Sequence, residues 1–177
     1  MTKSAMSRDE LKILGFKHEL EIIDIATGRV VDREVKYNRI PQAGIDFLIQ
    51  APFGDLPPVA TWYCTLYRNN VLPDANTSAA DLPSVLGEFV DYSEATRPEF
   101  IRTYNGAGTM DNAASKAVFT PTAEQSVYGS IIVSNPTKGS NTGLVLSAVR
   151  FSTVKALSIG LEARLVCGLT YIPTNVI

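Results

Sequence analysis

The chain is poor in the residue types from which active sites are usually built. Its 177 residues include one histidine, two cysteines and one tryptophan. A Ser-His-Asp or Cys-His arrangement needs a base beside its nucleophile, and His18 is the sole histidine available for that work. Flanked by Lys17 and Glu19 on a predicted strand, it is expected to face solvent. Zinc sites draw on clustered Cys and His, and this inventory is too small. Asp111-Asn112 is not followed by the acidic series of a calcium loop. Gly106-Ala107-Gly108 has no Gly-Lys-Ser/Thr after it, and Lys138-Gly139-Ser140 lacks the upstream glycine, so neither is a phosphate loop. The sequence therefore assigns no catalytic, cofactor-binding or metal-binding residue and no cofactor.

Charge is sparse as well. Charged residues make up 19% of the chain, with a formal net charge of −2, against about 25% in ordinary domains. Arg39, Arg68, Arg97, Arg102 and Arg150 are scattered singly, with no Arg-aromatic stripe. General attraction to a phosphate backbone is not expected, which argues against nucleic-acid binding. Low charge fits burial against partner subunits, and it fits equally well loops built from Ser, Thr and Asn.

Long apolar runs are missing too. None approaches the length of about 20 residues that spans a bilayer, and Met1 to Met6 lack the apolar region of a signal peptide. The expectation is a soluble chain made in a cytoplasm, with no membrane partner. Without a secretory signal, the sequon Asn76-Thr77-Ser78 carries no meaning. Cys64 and Cys167 each fall within an apolar alternation, Trp62-Cys64-Leu66 and Leu165-Cys167-Leu169. Both read as small core hydrophobes, and a disulfide between them is disfavoured in a reducing compartment.

What the chain does have is period-two patterning, most clearly from Ala117 to Ile172. Val127, Gly129, Ile131 and Val133 alternate with Tyr128, Ser130 and Ile132. Leu161, Ala163, Leu165, Cys167, Leu169 and Tyr171 alternate with Glu162, Arg164, Val166, Gly168 and Thr170. Successive strand side chains point to opposite faces, so such alternation sends one set into a core. Ser134 to Gly143 is a turn cluster of Gly, Pro, Asn and Ser, residues that interrupt strands. Further upstream, His18–Ile25 and Arg29–Tyr37 read as a hairpin turning through Ala26-Thr27-Gly28. Thr61–Tyr67 is an aromatic-rich strand, and Ala117–Thr120 another.

Helical signals are few. Pro41 ahead of Ile45, Leu48 and Ile49 predicts one short amphipathic helix, although Gly44 weakens the pattern. A second short helix is predicted around Ser84–Glu88. Ser7 and Glu10 form a capping-box pattern at the head of residues 1–14, which read as an N-terminal arm. The reading is one domain, 15–177, preceded by that arm 1–14. The expected fold is mainly β: about eight strands in an antiparallel β-sandwich or jelly-roll-like domain with one or two short helices.

Two side-chain groups bear on function. Asp91, Glu94 and Glu99 cluster in sequence, and two converging carboxylates suffice for glycoside hydrolysis. The plainer reading is a local, weak ion pair with Arg97. Trp62, Tyr63 and Tyr67 raise a sugar-binding platform. Their alternation, however, places Trp62 with Cys64 and Leu66 in the core, leaving Tyr63 and Tyr67 for a second layer or a neighbouring subunit.

Several segments, taken jointly, resemble a family of small tailed-bacteriophage virion proteins encoded among head and tail genes. They are Thr27–Arg33, Asn38–Leu48, Thr61–Tyr67, Tyr92–Pro98, Asp111–Phe119, Val127–Gly129, Thr137–Gly139 and Arg150–Ser152. Their order and spacing cover most of the chain from His18 onward, and none carries a reaction. The resemblance implies a non-enzymatic structural protein of the virion, assembled in the bacterial host cytoplasm. Within that class a capsid decoration or cement protein is favoured. It would be a dimer or trimer contacting the major capsid protein or other virion proteins, with the arm lacing over a neighbour. The alternatives are a tail adaptor, collar, baseplate or fibre-base component, and a host-glycan-binding module.

Overall fold

The computed structural model describes residues 15–38, 40–106 and 108–170. The arm 1–14, with its Ser7–Glu10 capping pattern, and Tyr171 lie outside the described residues. The fold is mainly β, with two antiparallel sheets in a sandwich-like arrangement. The larger sheet is made of β1 (Phe16–Asp24), β2 (Val30–Tyr37), β4 (Thr103–Tyr104), β5 (Thr109–Asp111), β6 (Ala117–Phe119) and β9 (Leu161–Thr170). Their order is β2-β1-β9-β5-β4, with β6 also paired to β9. The smaller sheet has the order β3-β7-β8, from β3 (Tyr63–Tyr67), β7 (Gln125–Val133) and β8 (Val145–Leu157).

Pairing follows the alternation. The predicted hairpin forms as β1 and β2, with Gly28 at φ 68° in its turn and Asp24 accepting both the amide and the hydroxyl of Thr27. In β9, Ala163, Leu165 and Cys167 are buried while the residues between them are only partly so. They meet Phe16, Leu20 and Ile22 of β1 and Trp62, Cys64 and Leu66 at β3 in one core between the sheets.

The outer face of the smaller sheet is covered too. Tyr67, Ile131, Val133, Val145 and Ala148 pack there against Ala79, Leu82 and Leu86 in a second core. That covering segment holds a 3-10 turn at Ala79–Asp81, where Ser78 and Asp81 form a capping box. This corrects the predicted helix at Ser84–Glu88: the ordered turn lies upstream, and Gly87 at φ 65° stands where the helix would end. Because β7 is buried on both faces, it reads as a nearly continuous apolar run. Strict alternation also fails in β7, where a register shift between Val127 and Gly129 reverses the parity. Val127 consequently shares the first core with Ile132, opposite Ile131 and Val133.

The predicted helix is α1 (Gln42–Phe53), which starts directly after Pro41 and continues past Ile49. Gly44 is what lets it dock: a Cβ there would stand 2.7 Å from the Leu146 carbonyl oxygen and 3.1 Å from that of Val145. Those carbonyls lie beside a second register shift, between Ile132 and Val133 of β7. Leu146 thus joins the first core, and neighbouring Ser147 also reaches the space between the sheets. Bulges commonly re-aim a side chain in this way.

Candidate functional site

One buried polar centre is built around His18. The expectation that it faces solvent is wrong: His18 is wholly buried. It shares the inward parity of Phe16, Leu20 and Ile22, while Lys17, Glu19 and Glu21 take the other face. Its Nδ1 lies 2.8 Å from Ser130 Oγ on β7, and its Nε2 lies 2.6 Å from Ser147 Oγ on β8. One imidazole therefore bonds across both sheets. Asn38 Nδ2 donates to Ser147 Oγ at 2.6 Å, and Asn38 Oδ1 accepts the Phe16 amide at 2.8 Å. With Ser147 accepting from Asn38, its own proton is available for Nε2, and Nδ1–H is left to donate to Ser130.

Burial lowers the His18 pKa to about 3, so the ring is neutral at physiological pH. Cys167 Sγ is 3.5 Å from Nδ1. Both cysteines are free and buried, as their alternation predicts. Burial, reinforced by the adjacent Cys64 thiol, pushes the Cys167 thiol well up. Ser130, Ser147 and Cys167 thus lie within reach of a base, but all are closed off from solvent together with it. The arrangement suits a polar bolt between sheets, since a nucleophile must be reached by its substrate. Among the described residues, no group of three or more His, Cys, Asp or Glu is placed to hold a metal ion.

A second buried centre is ionic. Arg97 and Glu88 form a two-pronged pair, Nε to Oε1 and Nη2 to Oε2, both 2.7 Å, with side chains almost entirely buried. Glu88 also accepts Thr65 Oγ1 at 2.8 Å and the Gly139 amide at 2.9 Å. Arg97 donates further to the carbonyls of Asn135 and Ser140, both at 2.9 Å. The pair fastens the loop after β7 to β3 and to the segment before Phe100. This corrects the expected surface pairing of Arg97 with Asp91, Glu94 or Glu99. Those three carboxylates do not act together either. Asp91 lies 3.9 Å from Arg68, Glu94 accepts the amide and hydroxyl of Thr120, and Glu99 is exposed.

The outward face of the larger sheet carries linked charges. Lys17 and Arg33 both bond Glu19, and Lys116 bonds Glu21 at 2.6 Å. The Lys17 bond leads in holding the Glu19 carboxyl below its usual range. On the inward side of β2, Lys155 of β8 sits 3.1 Å from Asp32 and 2.9 Å from Glu34. Burial alone would push Glu34 upward, but bonds from the Ser152 amide and Lys155 outweigh it and lower its pKa.

Trp62 is buried in the first core and Tyr67 under the second layer, as their alternation predicts, and with Tyr63 only partly exposed the three form no open platform. The exposed apolar side chains lie elsewhere. On α1, Gly44, Phe47 and Leu48 turn toward the sheets, whereas Ile49 is 58% and Phe53 89% exposed. Ile49, predicted to help bury the helix, thus faces out. On edge strand β2, Val31, Val35 and Tyr37 are exposed, Tyr37 at 75%.

Beneath α1 lies a cavity of about 120 Å³. Phe16, Phe47, Trp62 and Phe100 are among its apolar walls, and Arg102 is its sole charged lining residue. Phe47 meets Trp62 edge to face at 5.2 Å.

The chain matches no protein-family model and no curated protein. No described helix is long and apolar enough to cross a membrane.

Proposed function

We propose that this protein is a non-enzymatic structural component of a tailed-bacteriophage virion, a capsid decoration or cement protein that works through protein–protein contacts. The virion assignment rests on the resemblance of the segments between Thr27 and Ser152. The observation that carries the contact role is apolar surface left uncovered on regular elements: Ile49 and Phe53 on α1, with Val31, Val35 and Tyr37 on β2. Covering one large apolar side chain is worth about 1.5–3 kcal/mol. As an edge strand, β2 also presents backbone groups that another chain can pair. A cyclic dimer or trimer would cover such patches repeatedly, and the major capsid protein or another virion protein would cover the rest.

The polar centres support the same reading. His18, Arg97 and Glu88 are spent on joining sheets and loops, and Cys167 is sealed beside His18. Of the clustered carboxylates, Asp91 and Glu94 have separate partners while Glu99 is exposed. A glycan platform draws no support from the buried Trp62 and Tyr67.

Quantitative mass spectrometry of purified virions tests the proposal. Abundance close to that of the major capsid protein is expected. A small copy number, set by tail symmetry, would move the protein to an adaptor, collar, baseplate or fibre base. Absence from the particle would overturn the virion reading.

A further inference from the structure

Among the described residues, the cavity beneath α1 contrasts with the polar centres around His18 and Arg97. The groups around His18 are satisfied and sealed, as are Arg97 and Glu88. The hollow of about 300 Å³ on the outer sheet face carries charges of both signs, Lys17 and Lys116 with Glu19 and Asp111. The α1 cavity instead has apolar walls and one unbalanced cation. An engineered apolar cavity of about 150 Å³ accepts benzene, so about 120 Å³ is on the scale of one small ring or a short branched chain. Phe47 and Trp62, which meet edge to face, give the cavity wall two aromatic rings for such a group to pack on.

Arg102 supplies the polar end. Its Nη2 donates to the Ala60 carbonyl at 3.0 Å, and among the described residues no carboxylate pairs with it. A guanidinium has five N–H donors in a planar fork, so most of the fork is open to a carboxylate.

We propose that the α1 cavity is a binding site for a small apolar carboxylate, its ring or branched chain held by Phe47, Trp62 and Phe100 and its carboxylate by Arg102. This inference is independent of the virion reading, because it concerns the purified chain and a free ligand.

Trp62 is the only tryptophan, and it lines the cavity, so its fluorescence reports occupancy directly. Purified full-length protein is titrated with 3-phenylpropionate and, separately, with the neutral 3-phenylpropionamide. A saturable change is expected with the acid, and binding about tenfold weaker with the amide, the scale of one charge-assisted contact. Arg102→Gln, at an exposed position, should weaken the acid about tenfold and leave the amide unchanged. Leu48→Phe, which fills the cavity from α1, should abolish both, and circular dichroism establishes that this variant is folded. If Leu48→Phe unfolds the protein, competition between the acid and isobutylbenzene in the native protein replaces it. No saturable change with the acid, equal binding of acid and amide, or an unaffected Arg102→Gln would each overturn the proposal.

Discussion

Gly129 stands directly across from Tyr67 in the β3–β7 pairing, and the tyrosine ring occupies the space a side chain would need. A Cβ on Gly129 would fall 2.4 Å from two ring carbons and 2.1 Å from the Val149 carbonyl oxygen. Those contacts are far inside van der Waals range. The ring is also anchored, its hydroxyl lying 3.1 Å from the Val71 carbonyl oxygen and 3.2 Å from that of Val149.

Gly129→Ala should therefore destabilise the fold by about 1–3 kcal/mol, the usual range for overpacking. Urea denaturation measures this as a lowered midpoint at unchanged slope. An unchanged midpoint would mean that β3 and β7 separate easily, against their shared burial.

His18 makes stability depend on pH. Its folded pKa of about 3 lies below the unfolded value of about 6.5, so the unfolded chain binds the proton more readily. The stabilisation is fully present above pH 6.5 or so and declines as the pH falls toward 3, by at most about 1.4 kcal/mol per unit. Denaturation at pH 7 and pH 4.5 should differ by more in the parent than in His18→Gln. An equal acid response in both would remove His18 as the cause.

Arg97→Ala should cost about 3–5 kcal/mol, because it leaves Glu88 charged, buried and without its main partner. The double variant Arg97→Met with Glu88→Met should be more stable than Arg97→Ala alone, since both desolvated charges are then gone. Thermal unfolding of the three proteins decides it. A double variant below the single one would show that the bonds to Gly139, Asn135 and Ser140 matter more than the charges.

Cys64 and Cys167 are wholly buried, and the Cys167 thiol is held protonated; only thiolates react readily. Ellman's reagent should find almost no thiol in the native protein and two per chain after denaturation. Rapid native labelling would mean that the two sheets part.

Phe53→Glu should reduce any self-association while leaving circular dichroism unchanged, because the side chain is 89% exposed. Light scattering coupled to size exclusion reads the mass. An oligomer that persists would exclude the outer side of α1 as its interface.

The strands were legible in the sequence wherever one face of the sheet is buried, as the hairpin and β9 illustrate. The inward row Phe16, His18, Leu20, Ile22 was equally open to view, and its parity would have placed His18 inside. Its neighbours Lys17 and Glu19 are charged, but in a strand neighbours point the opposite way. Glycine weakens a helical pattern, yet the close approach of the predicted helix to the Leu146 carbonyl makes Gly44 necessary.

The sequence by itself determined the β class, the places of the turns, and the burial of Trp62, Cys64 and Cys167, because alternation and turn chemistry are local. Only the tertiary structure decided that His18 meets Ser130 and Ser147, residues 112 and 129 positions away, and that Arg97 chooses Glu88 over nearer acids. It also decided that Phe53 is left uncovered while Tyr67 is buried. Those outcomes depend on which strands become neighbours and where a bulge reverses parity, and a single strand's periodicity carries no record of its partner.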